Sequence, residues 1–241
     1  WLQSLGGIRK FIPFLRILWF SNLDLREYDL VISTTGAEAK GIKRLKDGAL
    51  HVCYMHAPTH YYWSRYEEYL KHPGFGIFDP LARLGLKLLV WPMRRWDYKA
   101  AQRPHQMIAN STYTQDQIKK YYGRDSVVIH PPVDIESFLP EKAVSRRGFV
   151  ITGRQTPYKR FDLAVAACTK LNLPLTVIGT GPDHDKLKKL AGPSITFKGW
   201  VSQAEVIASL QSAEGFIFPG IDDFGISAVE AMAAGTPVIA F

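Results

Sequence analysis

The sequence predicts an α/β protein of two domains, each built on a parallel β-sheet. Short apolar segments alternate with helix-like segments along nearly all of the 241 residues, a pattern typical of parallel strands with helices packed on both faces. The alternation is interrupted once, by a polar, proline-containing stretch at residues 133–147. We therefore predict a first domain at residues 1–132, a linker at 133–147 and a second domain at 148–241.

The first series of segments supplies four strands and four helices. The predicted strands are residues 29–33, 51–55, 106–109 and 126–129. The predicted helices are residues 37–45, 63–70, 80–103 and 112–122, with Ser111 as the N-cap of the last one. Pro131 and Pro132 then end the series, because proline fits poorly inside strands and helices.

The second series is more regular. Its predicted strands are residues 149–152, 175–178, 195–197, 215–218 and 238–241. Its predicted helices are residues 161–171, 183–190, 203–210 and 227–234. The two series together predict two Rossmann-like domains that face a cleft, with ligands bound beyond the carboxyl ends of the strands. Because the chain starts with Trp1 and stops inside the last strand, we expect both domains to be incomplete.

Composition excludes several classes of protein. A hydrophobic content of 46% and a charged content of 22% are typical of globular proteins, and no run of about 18 uncharged apolar residues predicts a membrane span. Cys53 and Cys168 form neither a disulfide framework nor a CxxC pair, which favours a reducing cytoplasm. No nucleic-acid-binding motif accompanies the net charge of +8, so nucleic acid is not an expected partner.

The positive charge is confined to the first half of the chain. Residues 1–147 hold 22 Lys and Arg against 14 Asp and Glu, whereas residues 148–241 hold eight of each. The densest part, residues 83–103, combines six basic residues and many leucines with a single acid, Asp97. This segment has two interpretations: peripheral contact with an anionic membrane at its inner face, or a core-packed helix whose charged face is solvated.

A basic loop opens the second domain. Residues 153–162, GRQTPYKRFD, follow a strand and precede a helix, and they carry Arg154, Lys159 and Arg160. Helix N-termini with nearby cations bind anions, and arginine can hold two phosphate oxygens at once. The loop therefore predicts a phosphate site, with a solvated basic turn as the alternative. It is not a Walker A loop, because Gly-Lys-Ser/Thr is missing at the required spacing.

Two acids lie beyond the carboxyl end of a later strand. Asp222 and Glu230 are separated by seven residues, with Asp222 in a loop and Glu230 in the Ala-rich helix that follows. The residues alone also allow a surface turn that caps this helix. A Gly179-x-Gly181 turn follows another strand, but His184 stands where a dinucleotide fingerprint requires its third glycine.

Together these motifs resemble the retaining GT-B glycosyltransferases of the large family 4 type, or glycosyl transferases group 1, and especially their mannosyltransferase-like branch. In chain order the motifs are H-A-P at 56–58, A-N-S at 109–111, H-P-P at 130–132, GR-x4-K at 153–159, F-x-G-x-V at 197–201 and D-x7-E at 222–230. The last is similar to the E-x7-E signature of that family. The resemblance covers essentially the whole chain and implies the GT-B fold.

The resemblance also implies roles for these positions. Arg154 and Lys159 would neutralise the diphosphate of a sugar donor, while His56 and Asp222 would contact the donor sugar, so these four are the predicted catalytic residues. Asp222 reaches less far than the glutamate usual at its position, which makes Asp223 an alternative sugar ligand. The predicted donor-binding residues are Gly153, Gly179, Gly181, Trp200, Val201, Asp223, Phe224, Gly225, Ile226 and Glu230, the last binding ribose hydroxyls.

Four aromatic residues follow His56 in the sequence, namely Tyr61, Tyr62, Trp63 and Tyr66. They fit stacking on sugars, stacking on a lipid carrier, or packing in the core. The sequence does not decide among these three.

The resemblance implies transfer of a hexose, mannose favoured, from a nucleotide diphosphate sugar to a glycan or lipid-linked acceptor with retention of configuration. We expect no cofactor and no metal, because Arg154 and Lys159 take the place of a cation. Two alternatives are a GT-B-shaped sugar epimerase or phosphorylase and a non-catalytic nucleotide-sugar-binding protein. A phosphorylase would need a further phosphate pocket or a pyridoxal lysine, and the sequence has neither signature.

Overall fold

The computed structural model describes residues 13–140 and 145–241 and divides the chain into two compact units, 1–131 and 132–241. Residues 1–12 of the predicted first domain and residues 141–144 of the predicted linker lie outside the described residues. All described strand pairs in both units are parallel. The predicted α/β class with parallel sheets is therefore confirmed.

The first unit has a four-stranded main sheet in the order β2-β4-β5-β6 and a separate pair formed by β1 and β3. Its elements are α1 (Pro13–Asn22), β1 (Asp24–Leu25), β2 (Leu30–Thr35), β3 (Arg44–Leu45), β4 (Leu50–Met55), α2 (Tyr66–Lys71), α3 (Asp79–Ala101), β5 (Gln106–Ala109), α4 (Thr112–Tyr122) and β6 (Val127–Val128). The core lies between one face of this sheet and helices α3 and α4. The Ser111 side chain accepts a hydrogen bond from the Thr114 amide, which confirms the predicted N-cap.

The helix predicted at residues 37–45 is wrong. The segment forms a 3-10 turn at Glu38–Gly41, followed by the short strand β3. Two of its charged side chains point inward: Glu38 pairs with Arg16 and Lys40 pairs with Asp97, each at 2.7 Å, and both Glu38 and Lys40 are buried, whereas Lys43 and Arg44 are exposed. The charged residues therefore do not gather on one solvent-facing side, as they would in an amphipathic helix.

The strands and helices of the second unit lie close to their predicted positions. Its elements are β7 (Phe149–Thr152), α5 (Phe161–Lys170), β8 (Leu175–Ile178), α6 (His184–Leu190), β9 (Ile195–Gly199), α7 (Gln203–Gln211), β10 (Gly215–Phe218), α8 (Ile226–Ala233) and β11 (Val238–Ala240). Apolar clusters on the two faces of the sheet bury side chains such as Phe216 and Val177. Strands β7, β8 and β10 contribute to both clusters because their side chains alternate between the faces.

The strand order of the second unit defines a switch point. The sheet reads β11-β10-β7-β8-β9, so the chain runs outward from β7 to β9 and then returns to the other side of β7 with β10 and β11. These are five of the six strands of the Rossmann order 3-2-1-4-5-6, and such sheets bind ligands at the carboxyl ends of the two strands where the direction reverses. In this unit those strands are β7 and β10.

Residues of the predicted linker pack into the second unit. Phe138 is buried in its core, and Arg146 donates hydrogen bonds to Thr236 Oγ1 at 2.9 Å and to the carbonyl oxygen of Ala234 at 3.1 Å. The boundary between the two units lies at Pro131 and Pro132. Along residues 13–140 and 145–241, none of the helices combines the length and hydropathy that a membrane-spanning segment needs.

Candidate functional site

Three loops of the second unit lie side by side beyond the carboxyl ends of β8, β7 and β10, because these strands are neighbours in the sheet. They comprise residues 179–183, 153–160 and 219–225. Most of the predicted catalytic and donor-binding residues lie in these loops or directly after them. The sheet order thus brings together groups that are up to about 70 residues apart in the chain.

Two of the predicted site glycines permit close contact between the loops. A Cβ atom on Gly179 would lie 2.1 Å from the Gly153 carbonyl oxygen, and one on Gly181 would lie 2.3 Å from the Gln155 carbonyl oxygen. Both distances are far shorter than non-bonded atoms allow. Gly179 also has a φ of +108°, a conformation that favours glycine. These glycines therefore have a structural requirement of their own, whether or not they border a ligand.

Gln155 is the central residue of the loops, and the sequence reasoning missed it. Its side chain is fully buried, donates to the Gly179 carbonyl oxygen at 2.7 Å and hydrogen-bonds with His184 Nδ1 at 2.8 Å. Its backbone amide donates to the Thr180 carbonyl oxygen, and its carbonyl oxygen accepts from the Asp183 amide. Gln155 therefore fixes the loop after β7 to the loop after β8. A glutamine in a polar loop gives no sequence signal of such burial.

Lys159 and Asp222 form an ion pair that joins the loop after β7 to the loop after β10. Each side chain is 21% exposed, so the pair is accessible yet partly shielded from water. The Lys159 ammonium also lies 6.0 Å from the centre of the Phe218 ring. Gly220 permits this approach of the two loops, since a Cβ there would lie 2.7 Å from the Tyr158 carbonyl oxygen.

The other two cations of the basic loop differ in their surroundings. Arg160 has a left-handed backbone conformation, with a φ of +53°, and pairs with Asp162 at 3.1 Å. Arg154 is exposed, and its guanidinium has no hydrogen-bond or ion-pair partner among the described residues. Arg154 is therefore the cation of this loop without a partner among the described residues, whereas Lys159 is paired with Asp222 and Arg160 with Asp162. The nearby N-terminus of α5 itself favours anions.

The acidic loop does not cap helix α8. The N-cap position is Gly225, with a φ of +84° and no side-chain capping hydrogen bond. The interpretation of Asp222 and Asp223 as capping residues is therefore wrong. Both acids are half-buried just before a helix N-terminus, whose first amides lack intrahelical acceptors. The predicted ligand amides of Phe224 and Ile226 belong to this same turn.

Glu230 lies in the second turn of α8 and is half-buried. Its carboxylate has no hydrogen-bond or ion-pair partner within the part of the chain that the structure describes. Burial raises the pKa of the Glu230 carboxyl above its ordinary value. A half-buried acid without a partner is an unfavourable arrangement that hydroxyl donors from a ligand would relieve.

The remaining predicted residues of the second unit lie after β9, at the edge of the sheet. Trp200 is 83% exposed, while Val201 is partly buried and packs against one of the two apolar clusters of this unit. The end of β9 is tied to the end of β8 by a hydrogen bond from the Gly179 amide to the Gly199 carbonyl oxygen. Trp200 and Val201 therefore border the same strand ends as Gly179, on the side away from β10.

His56 lies in the first unit, directly after β4. Its Nε2 hydrogen-bonds with Thr34 Oγ1 at 2.9 Å, and its ring meets Tyr54 edge-on at 5.4 Å between centres. Its backbone is fixed as well, because the His56 amide donates to the Thr35 carbonyl oxygen and its carbonyl oxygen accepts from Thr114 Oγ1. The imidazole is thus exposed but held by its neighbours at a strand end.

A buried network anchors the turn that follows His56. Asp97 pairs with Lys40 at 2.7 Å, and it accepts hydrogen bonds from Thr59 Oγ1 at 2.9 Å, Trp63 Nε1 at 2.8 Å and Tyr122 OH at 2.6 Å. Lys40 and Asp97 have no exposed side-chain surface. This network connects α3 and α4 to the turn and keeps it in one conformation.

The four aromatic residues after His56 pack mainly against other side chains of the first unit. Tyr62 is buried, Tyr61 donates to Glu38 at 3.0 Å, and Trp63 stacks on Tyr121 at 5.1 Å between ring centres. Tyr66 is covered by the Arg94 guanidinium at 4.9 Å. The core-packing interpretation therefore accounts for the contacts of all four aromatic residues. Within the described residues, His, Cys, Asp and Glu side chains form no group of three that could hold a metal ion.

Two family models match the chain. The model described as Glycosyltransferase Family 4 matches residues 3–137, and the model described as Glycosyl transferases group 1 matches residues 134–241. The boundary between the two matches lies close to the boundary between the two structural units. Together the matches cover nearly all of the chain.

Curated relatives agree with these matches. The chain is 30% identical over 164 residues to a phosphatidyl-myo-inositol mannosyltransferase of Mycolicibacterium smegmatis, covering 59% of this chain and 42% of that protein. It is 29% identical over 219 residues to the protein of the same name from Mycobacterium leprae, covering 81% of this chain and 56% of that protein. The chain thus spans about half the length of the curated relatives it matches.

Solved structures show the fold. The chain superposes on a Staphylococcus aureus TarM variant in complex with UDP and other ligands, with a TM-score of 0.63, 17% identity, and coverage of 95% of this chain and 44% of that one. It superposes on a sucrose-phosphate synthase from Thermosynechococcus elongatus with a TM-score of 0.61, 16% identity, and coverage of 98% and 60%. These similarities confirm the GT-B fold expected from the motifs. The chain therefore belongs to the family 4 glycosyltransferases, of the glycosyl transferases group 1 type.

Proposed function

We propose that the protein is a retaining glycosyltransferase that moves a hexose from a nucleotide diphosphate sugar to a glycan or lipid-linked acceptor. The observation that carries this proposal is the ion pair between Lys159 and Asp222 at the switch point between β7 and β10. A cation that can bind phosphate and an acid that can bind sugar hydroxyls therefore lie side by side at the sheet edge where Rossmann-like sheets bind ligands. Mannose is the favoured sugar, because two of the relatives are mannosyltransferases.

The donor diphosphate would lie between the basic loop and the N-terminus of α5. Arg154 and Lys159 would bind its oxygens and stabilise the negative charge that develops on the leaving diphosphate. The proposal needs no metal ion and no cofactor, because these two side chains supply the positive charge. It also needs no covalent enzyme nucleophile. Retention then requires the acceptor oxygen to attack the anomeric carbon from the face that the diphosphate leaves, so that the new glycosidic bond forms as the sugar–phosphate bond breaks and the acceptor proton passes to the leaving phosphate.

The rest of the donor would extend along the same loops. Glu230 would accept hydrogen bonds from the ribose hydroxyls, and Trp200 and Val201 would border the base. Asp222, or Asp223 in its place, would bind the sugar together with the amides of residues 224–226. His56 of the first unit would contact the sugar as well.

The location of the acceptor belongs to the same proposal. The basic excess of residues 1–147 supports peripheral contact with an anionic membrane at the cytoplasmic face, where a lipid-linked acceptor would be present. We propose no nucleic-acid partner.

A thermal-shift screen tests the donor proposal. The chain is heated with GDP-mannose, UDP-glucose and ADP-glucose, and with the corresponding nucleoside monophosphates as controls. A donor at about 100 times its dissociation constant should stabilise the native state by about 2.7 kcal/mol, and the monophosphates should stabilise it much less. Lys159→Ala should remove most of the shift, whereas Lys170→Ala, an exposed lysine at the far end of α5, should not.

Product analysis separates the transferase from the alternatives. Incubation with the best donor and an acceptor lipid or glycan should release nucleoside diphosphate and form a product with the anomeric configuration of the donor. Binding without release under these conditions would favour a nucleotide-sugar-binding protein, and an epimerised donor would favour an epimerase.

A further inference from the structure

Helix α3 has apolar residues on the face that points away from the core. Its inner face buries Met93, Asp97, Ala100 and Ala101. On the opposite side of the helix, at alternating spacings of three and four residues, lie side chains that we call the outer stripe. They are Leu81, 67% exposed; Leu84, 54% exposed; Leu88, 68% exposed; and Trp91, 67% exposed.

The interpretation of α3 as a packed helix with a solvated charged face accounts for its buried residues and its exposed cations, but not for the outer stripe. A surface helix normally presents polar residues where it faces away from the core. Here that position is occupied by three leucines and a tryptophan, with the exposed residues Ile77 and Phe78 in the turn just before the helix. Exposed apolar side chains grouped along one side of a helix are typical of an interaction site.

The charges of α3 beside the stripe are mainly positive. The helix has two acids: Asp97 is buried and paired with Lys40, and Asp79, at the first position of the helix, accepts a hydrogen bond from the Phe75 amide at 2.7 Å. Lys87, Arg95 and Lys99 are exposed, and the Arg95 guanidinium lies 5.6 Å from the centre of the Trp91 ring. Beyond its first turn, the surface of α3 beside the stripe is therefore cationic.

Arg94 does not belong to this cationic set. Its guanidinium donates to the Tyr62 carbonyl oxygen at 2.5 Å and covers the rings of Trp63 and Tyr66, at 5.3 and 4.9 Å. It therefore stabilises the first unit internally. A variant that tests the surface charge of α3 must leave Arg94 in place.

We propose that the outer stripe, together with Lys87, Arg95 and Lys99, is the surface with which the protein docks on an anionic lipid membrane. The leucines and Trp91 enter the boundary between headgroups and acyl chains, and the three cations bind lipid phosphates. This surface would make the peripheral membrane contact proposed above, and its role does not depend on the donor chemistry.

Charge complementarity selects a membrane over a second copy of the chain. In a two-fold dimer the same surface meets itself, so Lys87, Arg95 and Lys99 would be brought against the same three cations of the second copy. Helix α3 offers only Asp79 to neutralise them, because Asp97 is buried and paired with Lys40. An anionic lipid surface neutralises these cations and also provides an apolar layer for the stripe.

Vesicle sedimentation with matched variants tests the proposal. The chain is mixed with phosphatidylcholine vesicles that contain phosphatidylglycerol, and with vesicles of phosphatidylcholine alone. The stripe variant is Leu84→Gln/Leu88→Gln, and its control is Leu171→Gln/Leu190→Gln, which changes two exposed leucines of the second unit. The charge variant is Lys87→Gln/Arg95→Gln/Lys99→Gln, and its control is Lys186→Gln/Lys188→Gln/Lys189→Gln on α6.

We expect binding to the anionic vesicles that weakens as salt is raised. The charge variant should lose about fivefold in affinity for each cation removed, and the stripe variant about tenfold for each leucine, while both controls bind like the original chain. Trp91 should be quenched by brominated lipid, and Trp91→Phe should remove most of that quenching. Unchanged melting temperatures would show that the variants are folded, as expected for exposed positions.

Three results would overturn the proposal: no binding to anionic vesicles, equal loss in a variant and its control, or a concentration-dependent dimer that the stripe variant abolishes. The last would assign the stripe to a second copy of the chain. Nucleotide-sugar binding is measured on the same preparations. Its retention in the stripe and charge variants separates failure of the membrane surface from failure of the proposed enzymatic function.

Discussion

Lys159 of the loop after β7 and Asp222 of the loop after β10 form an ion pair across the switch point of the second sheet. The first is the predicted diphosphate ligand and the second the predicted sugar ligand. A diphosphate that binds Lys159 therefore competes with Asp222 and at the same time leaves that acid available to sugar hydroxyls. Binding of the two parts of the donor should be coupled through this pair.

A double-mutant cycle measures this ion pair. Lys159→Met and Asp222→Asn should each lower the free energy of unfolding by about 1 kcal/mol, because each leaves a partly shielded charge without its partner. The double variant should lose less than the sum of the two. Denaturant unfolding provides the values, and strictly additive losses would show that the pair contributes nothing in solution.

The length of the acid at position 222 should matter for turnover. Asp222→Glu should keep or raise transfer, since it restores the reach of the usual glutamate. Asp222→Ala should lower kcat more than it weakens nucleotide binding, because the proposed contact is to the sugar. Steady-state kinetics with one donor checks both, and Asp223→Ala is the matched comparison. If neither alanine variant changes transfer, the acidic loop is only a turn.

Glu230 should contribute to nucleotide binding at the cost of stability. Because burial raises its folded-state pKa above the unfolded value, its ionised form destabilises the native state at neutral pH and this penalty disappears as pH falls. Glu230→Gln should therefore raise the free energy of unfolding at neutral pH while it weakens nucleotide affinity about fivefold.

The pH dependence of nucleotide binding provides a second check on Glu230. In the original chain affinity should fall as pH is lowered through the raised pKa, because a protonated carboxyl accepts fewer hydrogen bonds. Calorimetric titrations of Glu230→Gln should show a weaker pH dependence. An identical pH profile for both chains would remove Glu230 from the site.

Asp97 should be one of the most sensitive positions of the first unit. Asp97→Asn leaves the fully buried Lys40 ammonium without its counter-ion, which costs about 3 kcal/mol or more. Asp29→Asn removes the exposed partner of Lys46 and should have no measurable effect on unfolding. Similar unfolding curves for the two variants would contradict the network described above.

The regular α/β alternation made most of the fold predictable. In the second unit the predicted strands and helices agree with the structure to within about two residues, because each buried strand is a short apolar run and each helix has a clear end. The helix predicted at residues 37–45 failed because Glu38 and Lys40 find buried partners far along the chain. Long-range pairing of that kind leaves no local pattern.

The site was predictable in its residue types but less so in its geometry. The motifs gave Lys159, Asp222 and Glu230, but no spacing rule indicates that Lys159 and Asp222 pair with each other. Gln155 was not predicted as a site residue because a glutamine in a loop is ordinarily exposed. It is buried because the loop that contains Gly179 and Gly181 approaches it closely. Likewise, the leucines of α3 were visible in the sequence, but their exposure on the outer face was not.

The donor-site assignment is tested most directly by the difference in affinity between a nucleoside diphosphate and its monophosphate, measured by calorimetry. We expect the chain to prefer the diphosphate by about 10- to 150-fold, the value of a charge-assisted hydrogen bond to the second phosphate. Lys159→Ala should abolish most of that preference and leave monophosphate binding unchanged, while Lys170→Ala should retain it. Equal affinity for the two nucleotides in the original chain, or an undiminished preference in Lys159→Ala, would contradict the assignment of the donor site.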